Sequence, residues 1–178
     1  MDGFKETENI IVIGATNLEK AIDPAIKRAG RFDKIINVPL PDIKGREDIF
    51  SLYLEKIKFS GITAGELAKR TYGFSGADIQ NMVNQAVLNC VKNHRLITVD
   101  QDFEFAYDRI VMGVGRTNMF VTDKDKMITA YHESGHTIVA LLTEGAIPLH
   151  KVTVLPRGGA LGFTSMVPDT DSLSMTKK

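Results

Sequence analysis

The stretch His132-Glu133-Ser134-Gly135-His136 limits the folding options of this chain more than any other, because it makes chemical sense only as a helix. On an α-helix, positions four apart lie one turn apart on the same face. Two imidazoles there can meet one metal ion while Glu133 stays free to handle protons. H-E-x-x-H is the zincin pattern, in which two histidines hold Zn²⁺ and the glutamate serves as general base. The flanking residues agree with a helix. It starts at Thr122, with Asp123 and Asp125 in a first turn whose dipole favours anions. Met127, Ile128 and Tyr131 precede the motif, Ile138, Val139, Leu141 and Leu142 follow it, and Gly145 and Pro148 mark the stop. These apolar flanks predict a mostly dry helix, where an unpaired imidazole is costly and a metal removes the cost. The competing reading is a wet helix face on which the three side chains are merely solvated.

Composition narrows the partners. Lys+Arg and Asp+Glu both number 22 in 178 residues, so zero net charge gives no electrostatic reason to expect nucleic acid. No apolar run approaches the roughly 20 residues that span a bilayer, and no signal-peptide pattern opens the chain. Cys90 is the only cysteine, which excludes an intrachain disulfide. It falls in register with Ile79, Val83, Ala86 and Val87 and is expected to fill core space.

The local pattern predicts an α+β chain that is mainly helical. Asn9 to Ala15 and Ile35 to Leu40 are β-branched runs expected to form buried strands, with a short helix from Asp23-Pro24 between them. Helices are expected from Asp42, over Ala64 to Thr71, from the Ser75-Gly76-Ala77-Asp78 cap to about Asn93, and from Asp100 as N-cap to near Gly113. After the H-E-x-x-H helix, Lys151 to Leu155 and Leu161 to Val167 read as strands joined through Pro156-Arg157-Gly158-Gly159-Ala160. The expected pieces are residues 1–41, 42–115, a linker at 116–121, and 122–178, with blunt ends suggesting a segment of something larger.

Other residues invite functional readings beside plainer ones. Asn17 follows a predicted buried strand, where α/β sheets place ligand-handling groups, but on its own it reads first as a turn residue. Arg28 and Arg31 flank Gly30 on a predicted exposed turn; guanidinium suits phosphate oxygens, and a solvated surface pair is the alternative. Gly76-Ala77 puts small residues at a helix start, where a flat ring can approach, or where an ordinary cap suffices. Leu161 to Val167 is either a core strand or an edge that holds an extended peptide.

In order along the chain, these stretches resemble the FtsH-type AAA+ metalloproteases, membrane-anchored and ATP-driven. Met1-Asp2-Gly3-Phe4 resembles the segment after the Walker B strand, and Ile13-Gly14-Ala15-Thr16-Asn17 the sensor-1 strand. Asp23-Pro24-Ala25 and Arg28-Ala29-Gly30-Arg31-Phe32-Asp33 resemble the second region of homology. Leu40-Pro41-Asp42, Gly45-Arg46, Gly73-Phe74-Ser75-Gly76-Ala77-Asp78 and Met112-Gly113 resemble the helical lid. Tyr131 to His136 and Leu155-Pro156-Arg157-Gly158 resemble the start of the peptidase domain.

The resemblance implies that residues 1–41 are the C-terminal part of an AAA+ α/β subdomain and 42–115 a four-helix lid. Residues 122–178 would then open a zincin-like helical peptidase domain with a β-hairpin. It further implies Zn²⁺ on His132 and His136, Glu133 as base, and ATP with Mg²⁺ near Asn17, Gly76 and Ala77. Arg28 and Arg31 would be arginine fingers acting on a neighbour's nucleotide in a homo-hexamer with polypeptide substrates. Thr143 to Leu149 and Asn37 to Pro41 look closest to the mitochondrial i-AAA branch, which implies the mitochondrial inner membrane, with plastid and bacterial relatives as alternatives.

Some of the family's parts are not in this sequence. No G-x-x-x-x-G-K-[ST] loop is present, and the Walker B acids, pore loop and transmembrane part would precede Met1. The family's third zinc ligand, an acidic residue, would come after Lys178. His150 is the one nearby histidine able to substitute, and packing or facing solvent is its expected role. Both nucleotide and zinc sites are thus expected to be incomplete, the chain alone inactive and zinc binding weak or absent. The rival reading of the parent is a remodelling ATPase without proteolysis.

Overall fold

Short polar side chains set the helix starts. The carboxylate of Asp42 accepts from the Gly45 N–H at 2.7 Å and opens α1 (Ile43–Leu54). Thr63 and Glu66 form a reciprocal capping box at α2 (Ala64–Arg70), and Ser75 and Asp78 form another at α3 (Gly76–Lys92). Further along, Thr122 caps the helix Asp123–Leu142 through the Asp125 N–H. The computed structural model describes residues 11–28, 30–32, 34–113, 122–156 and 161–168. The expected linker at 116–121 and the turn residues 157–160 lie outside these. The chain divides into two units, Met1–Pro39 and Leu40–Lys178, and it is mainly helical with a few short strands.

Within the first unit, Asp23 caps a 3-10 turn at Pro24–Lys27 by accepting from the Ala25 N–H, as the Asp-Pro pair predicts. Both strands expected there are absent among the described residues. Residues 11–15 and 34–39 are irregular, with Ile13 87% and Val38 85% exposed. β-branched runs favour extended backbone, but only a ladder partner makes a strand, and neither run has one among the described residues.

In the second unit, α1 to α3 and a fourth helix, α4 (Asp100–Val111), enclose the core, where Phe50, Leu67, Ile79, Met82 and Phe103 are fully buried. Cys90 is buried as expected, as a free thiol. Arg46 is buried too: its Nε donates to the Ala68 carbonyl at 3.1 Å and its Nη1 to Pro41 at 3.0 Å, so it satisfies backbone acceptors that apolar neighbours leave unpaired. Phe59–Ser60 (β1) and Thr98–Val99 (β2) pair in parallel, a contact too short to leave a period-two pattern in the sequence.

Helix α4 begins differently from the expectation. Its N-cap is Val99, not Asp100. Asp102, wholly buried, accepts from the Val99 N–H at 3.0 Å and the Asn89 amide at 2.8 Å. Arg95 grips it with both guanidinium nitrogens at 2.7 and 2.6 Å. Asp100 is displaced from capping to pairing with Arg70 at 2.7 Å.

Helix α5 (Asp123–Leu142) leads into the last strands. β3 (Leu149–Thr153) and β4 (Phe163–Met166) form an antiparallel hairpin with a register irregularity between Leu149 and Lys151. Alternation along β4 sends Ser165 toward Tyr107 of α4 and Thr164 toward α5, so the hairpin contacts both helices. The bulge lets consecutive residues of β3 reach α4: His150 packs edge-on against Tyr107 at 5.5 Å, and Lys151 binds Asp108 at 2.6 Å.

Burial pushes the Asp102 carboxyl up, but the hydrogen bonds from Arg95, Val99 and Asn89 outweigh it and hold it below the ordinary value of 3.8. A folded-state value below the unfolded one means stability that is complete above the unfolded value and fades as pH falls toward the folded one. Asp102→Asn is therefore expected to cost about 2 kcal/mol at neutral pH. In urea unfolding, the gap to the parent chain should narrow once the pH drops below about 3.8.

Candidate metal and peptidase site

Helix α5 delivers the two imidazoles of the motif to one point. His132 Nε2 and His136 Nε2 lie 3.1 Å apart, with the rings at 89° and their centroids 4.6 Å apart. Two metal–nitrogen bonds of about 2.0–2.1 Å place their nitrogens about 3.3–3.4 Å apart at the tetrahedral angle and about 3.1 Å apart when that angle closes to roughly 100°. The donor pair therefore fits a zinc ion. No group of three His, Cys, Asp or Glu able to hold a metal occurs among the described residues. His150 packs beside Tyr107, with its Nε2 3.9 Å from Glu104, so it serves α4 and not the pair.

Glu133 occupies a different environment. It is 7% exposed, whereas both histidines are exposed. Its carboxylate accepts a short hydrogen bond from the Thr164 hydroxyl of β4. The covered stripe of α5 is Thr129, Glu133 and Thr137, spaced one turn apart and turned to the hairpin. This corrects the expectation of a mostly dry helix. Tyr131, Val139, Leu141 and Leu142 are exposed, because the hairpin covers a polar stripe and not the apolar one. Beside the histidines an open, largely apolar groove runs between Tyr131, Val139 and Ala140 of α5, Ala146, and Met166 of β4.

The chain matches three family models in series. Residues 1–40 match the ATPase family associated with various cellular activities, residues 62–105 the AAA+ lid domain, and residues 119–178 peptidase family M41. The chain is 49% identical over its whole length to the ATP-dependent zinc metalloprotease FTSH 11, chloroplastic/mitochondrial, of Arabidopsis thaliana, covering 22% of that protein. It is 48% identical over its whole length to the mitochondrial inner membrane i-AAA protease supercomplex subunit YME1 of Saccharomyces cerevisiae, covering 24% of it. Over 99% of its length it is 46% identical to human ATP-dependent zinc metalloprotease YME1L1, covering 23% of it. The chain belongs to the FtsH-type metalloprotease family. It spans about a quarter of the length of these curated relatives.

In this FtsH-type chain the residues expected at the nucleotide fall in both units. Asn17 sits in an exposed bend, not at a strand tip, because the strand expected before it is absent among the described residues; the adjoining Thr16 hydroxyl accepts from the Leu18 N–H at 3.0 Å. Arg28 is exposed. Arg31 donates to the Ala25 carbonyl at 2.9 Å, so its guanidinium helps hold its own turn, where Gly30 adopts a φ of +81° that favours glycine. In the second unit, Gly76 and Ala77 form the first turn of α3, and a Cβ added at Gly76 would meet only Ile49 at 3.9 Å.

The residues of the site that sequence reasoning missed are Thr129, Gly162 and Thr164. A signal existed, since a glycine within a strand pattern often marks close backbone approach. A Cβ at Gly162 would lie 2.6 Å from Thr129 Cγ2 and 2.8 Å from Glu133 Cγ.

Structural zinc sites with four ligands bind with about 10–16 kcal/mol, so a two-imidazole site supplies roughly half, which corresponds to a Kd of about 1–100 µM. Calorimetric titration of the chain with Zn²⁺ should give one site in that range, and His136→Ala should remove it.

Proposed function

We propose that this chain is the segment of an ATP-dependent zinc metalloendopeptidase in which the ATPase lid joins the peptidase site, and that the whole protein unfolds and degrades membrane or misfolded polypeptides. The carrying observation is the 3.1 Å convergence of His132 Nε2 and His136 Nε2 on a helix that also presents Glu133. Residues 1–41 are then the end of the AAA+ α/β subdomain, 42–115 the four-helix lid, 116–121 a linker, and 122–178 the start of the peptidase domain. The matched family models and the names of the relatives support this order.

His132 and His136, whose Nε2 atoms converge, would hold the metal. When bound, zinc supplies a Lewis acid that acidifies water and polarises a peptide carbonyl. Glu133 takes the proton from the attacking water and delivers it to the leaving amine, the work of a general base that turns general acid. The apolar groove beside the histidines accepts side chains of an unfolded substrate. The resemblance assigns Asn17 of the first unit and, separately, Gly76 and Ala77 of the second to the binding of ATP with Mg²⁺, and Arg28 and Arg31 to the nucleotide of a neighbouring subunit in a homo-hexamer, where a guanidinium neutralises charge on the transferring phosphoryl group.

No helix among the described residues is long and apolar enough to cross a membrane. Anchoring in the mitochondrial inner membrane is inferred from relatives such as yeast YME1, through a region outside this chain.

Glu133→Gln in the ATP-dependent protease should abolish casein digestion while ATP hydrolysis persists. Digestion at the parent rate would refute the assignment of Glu133 and favour a remodelling ATPase. Arg28→Ala or Arg31→Ala subunits should be inactive in rings of their own and should regain ATP turnover when mixed with subunits whose arginines are intact but whose own nucleotide pockets are disabled, since each arginine serves a neighbour's site.

A further inference from the structure

We infer that Thr164 is a positioning residue that aims the Glu133 carboxylate, with Gly162 as the gap that lets β4 close on α5. The inference rests on the reading of Glu133 as the general base. A glutamate side chain turns about three bonds, and a base is effective only when its lone pair is held within hydrogen-bond reach of the proton it takes. Here that freedom is removed from two directions. The Thr164 hydroxyl donates to Glu133 Oε2. On the other side, Gly162 lies so close that an added Cβ would sit 2.8 Å from Glu133 Cγ and 2.9 Å from Oε1.

These contacts divide the work of the two oxygens. Oε2 is committed to Thr164, and Oε1, lying against a residue without a side chain, is the one left to exchange protons. The strand's alternation places this contact beside the substrate. Thr164 and Met166 share the face of β4 turned to α5, and Met166 borders the same groove as His132 and His136. Ser165, on the opposite face, is occupied with Tyr107. One strand face thus both orients the base and walls the groove.

A buried carboxylate also needs a partner for stability alone, so the test separates aim from fold. In the ATP-dependent protease, Thr164→Val keeps the shape and deletes the donor. It should lower kcat for an unfolded substrate by about tenfold or more, with KM, zinc content and melting temperature close to the parent's. Thr164→Ser, which restores the hydroxyl, should recover most of kcat. In a Glu133→Gln background Thr164→Val should lower the residual rate no further. A crystal structure of Thr164→Val should show the Glu133 carboxylate turned from its parent position. Parent-like kcat in Thr164→Val, or equal damage in the Val and Ser variants, overturns the proposal. Loss of zinc or of the fold in Thr164→Val makes the hydroxyl structural and overturns it too. Undiminished digestion by Glu133→Gln alone would instead refute the base assignment on which the proposal rests, so the two failures are told apart.

Discussion

A single buried carboxylate holds the second unit in register. Asp102 has no exposed surface and gathers donors from the end of α3, the turn after it and the residue before α4. An unpaired charge there would be strongly destabilising, so the three segments must arrive together. Their arrival sets the position of the hairpin. With α4 fixed on its inner side, its outer side offers Glu104, Tyr107 and Asp108 at defined places, and β3 docks on them through His150 and Lys151. β4 pairs with β3 and closes on α5 at Glu133. The geometry around the motif is therefore anchored, contact by contact, to a carboxylate far from it in sequence.

Helix α5 separates tasks around its circumference. The pair of imidazoles stays accessible, as the proposed metal-binding role requires. The neighbouring glutamate is shielded, as a side chain that must hold one orientation requires. A step of about 100° per residue places Glu133 on the hairpin side while both histidines, four apart, remain together. The intervals in H-E-x-x-H thus encode two environments on one helix.

Helices proved more legible in the sequence than strands, and the reason is physical. A cap is a local bond between residues three apart, so Asp42, Ser75 and Thr122 announced their helices correctly. A strand depends on a partner remote in sequence. Residues 11–15 and 34–39 have strand-like composition but no ladder among the described residues. Asp100 misled because it lies where a cap is expected, while Asp102 two residues on makes the bond to Val99. At the candidate site, the motif's spacing foretold the convergence of His132 and His136 on one helix face. Thr164, which donates a hydrogen bond to Glu133, comes from a hairpin 31 residues later, and only the oddity of Gly162 within the expected strand Leu161 to Val167 hinted at the contact. Apolar periodicity pointed to the wrong side of α5, since the covered stripe there is built from two threonines and a glutamate.

The bulge in β3 carries a burden that the sequence pattern of its partner does not. β4 presents a threonine on one face and a serine on the next, so a slip of one residue would exchange one hydroxyl for another with little chemical penalty. Hydrophobic alternation, the usual guardian of pairing, is silent here. The irregularity between Leu149 and Lys151 takes its place: only with that extra residue can a ring and an ammonium from adjacent positions both grip the same helix. Deleting one residue from this strand would leave the hairpin able to pair in two alignments, and in one of them the carboxylate beside the paired histidines would face a serine, whose smaller side chain fills less of the space.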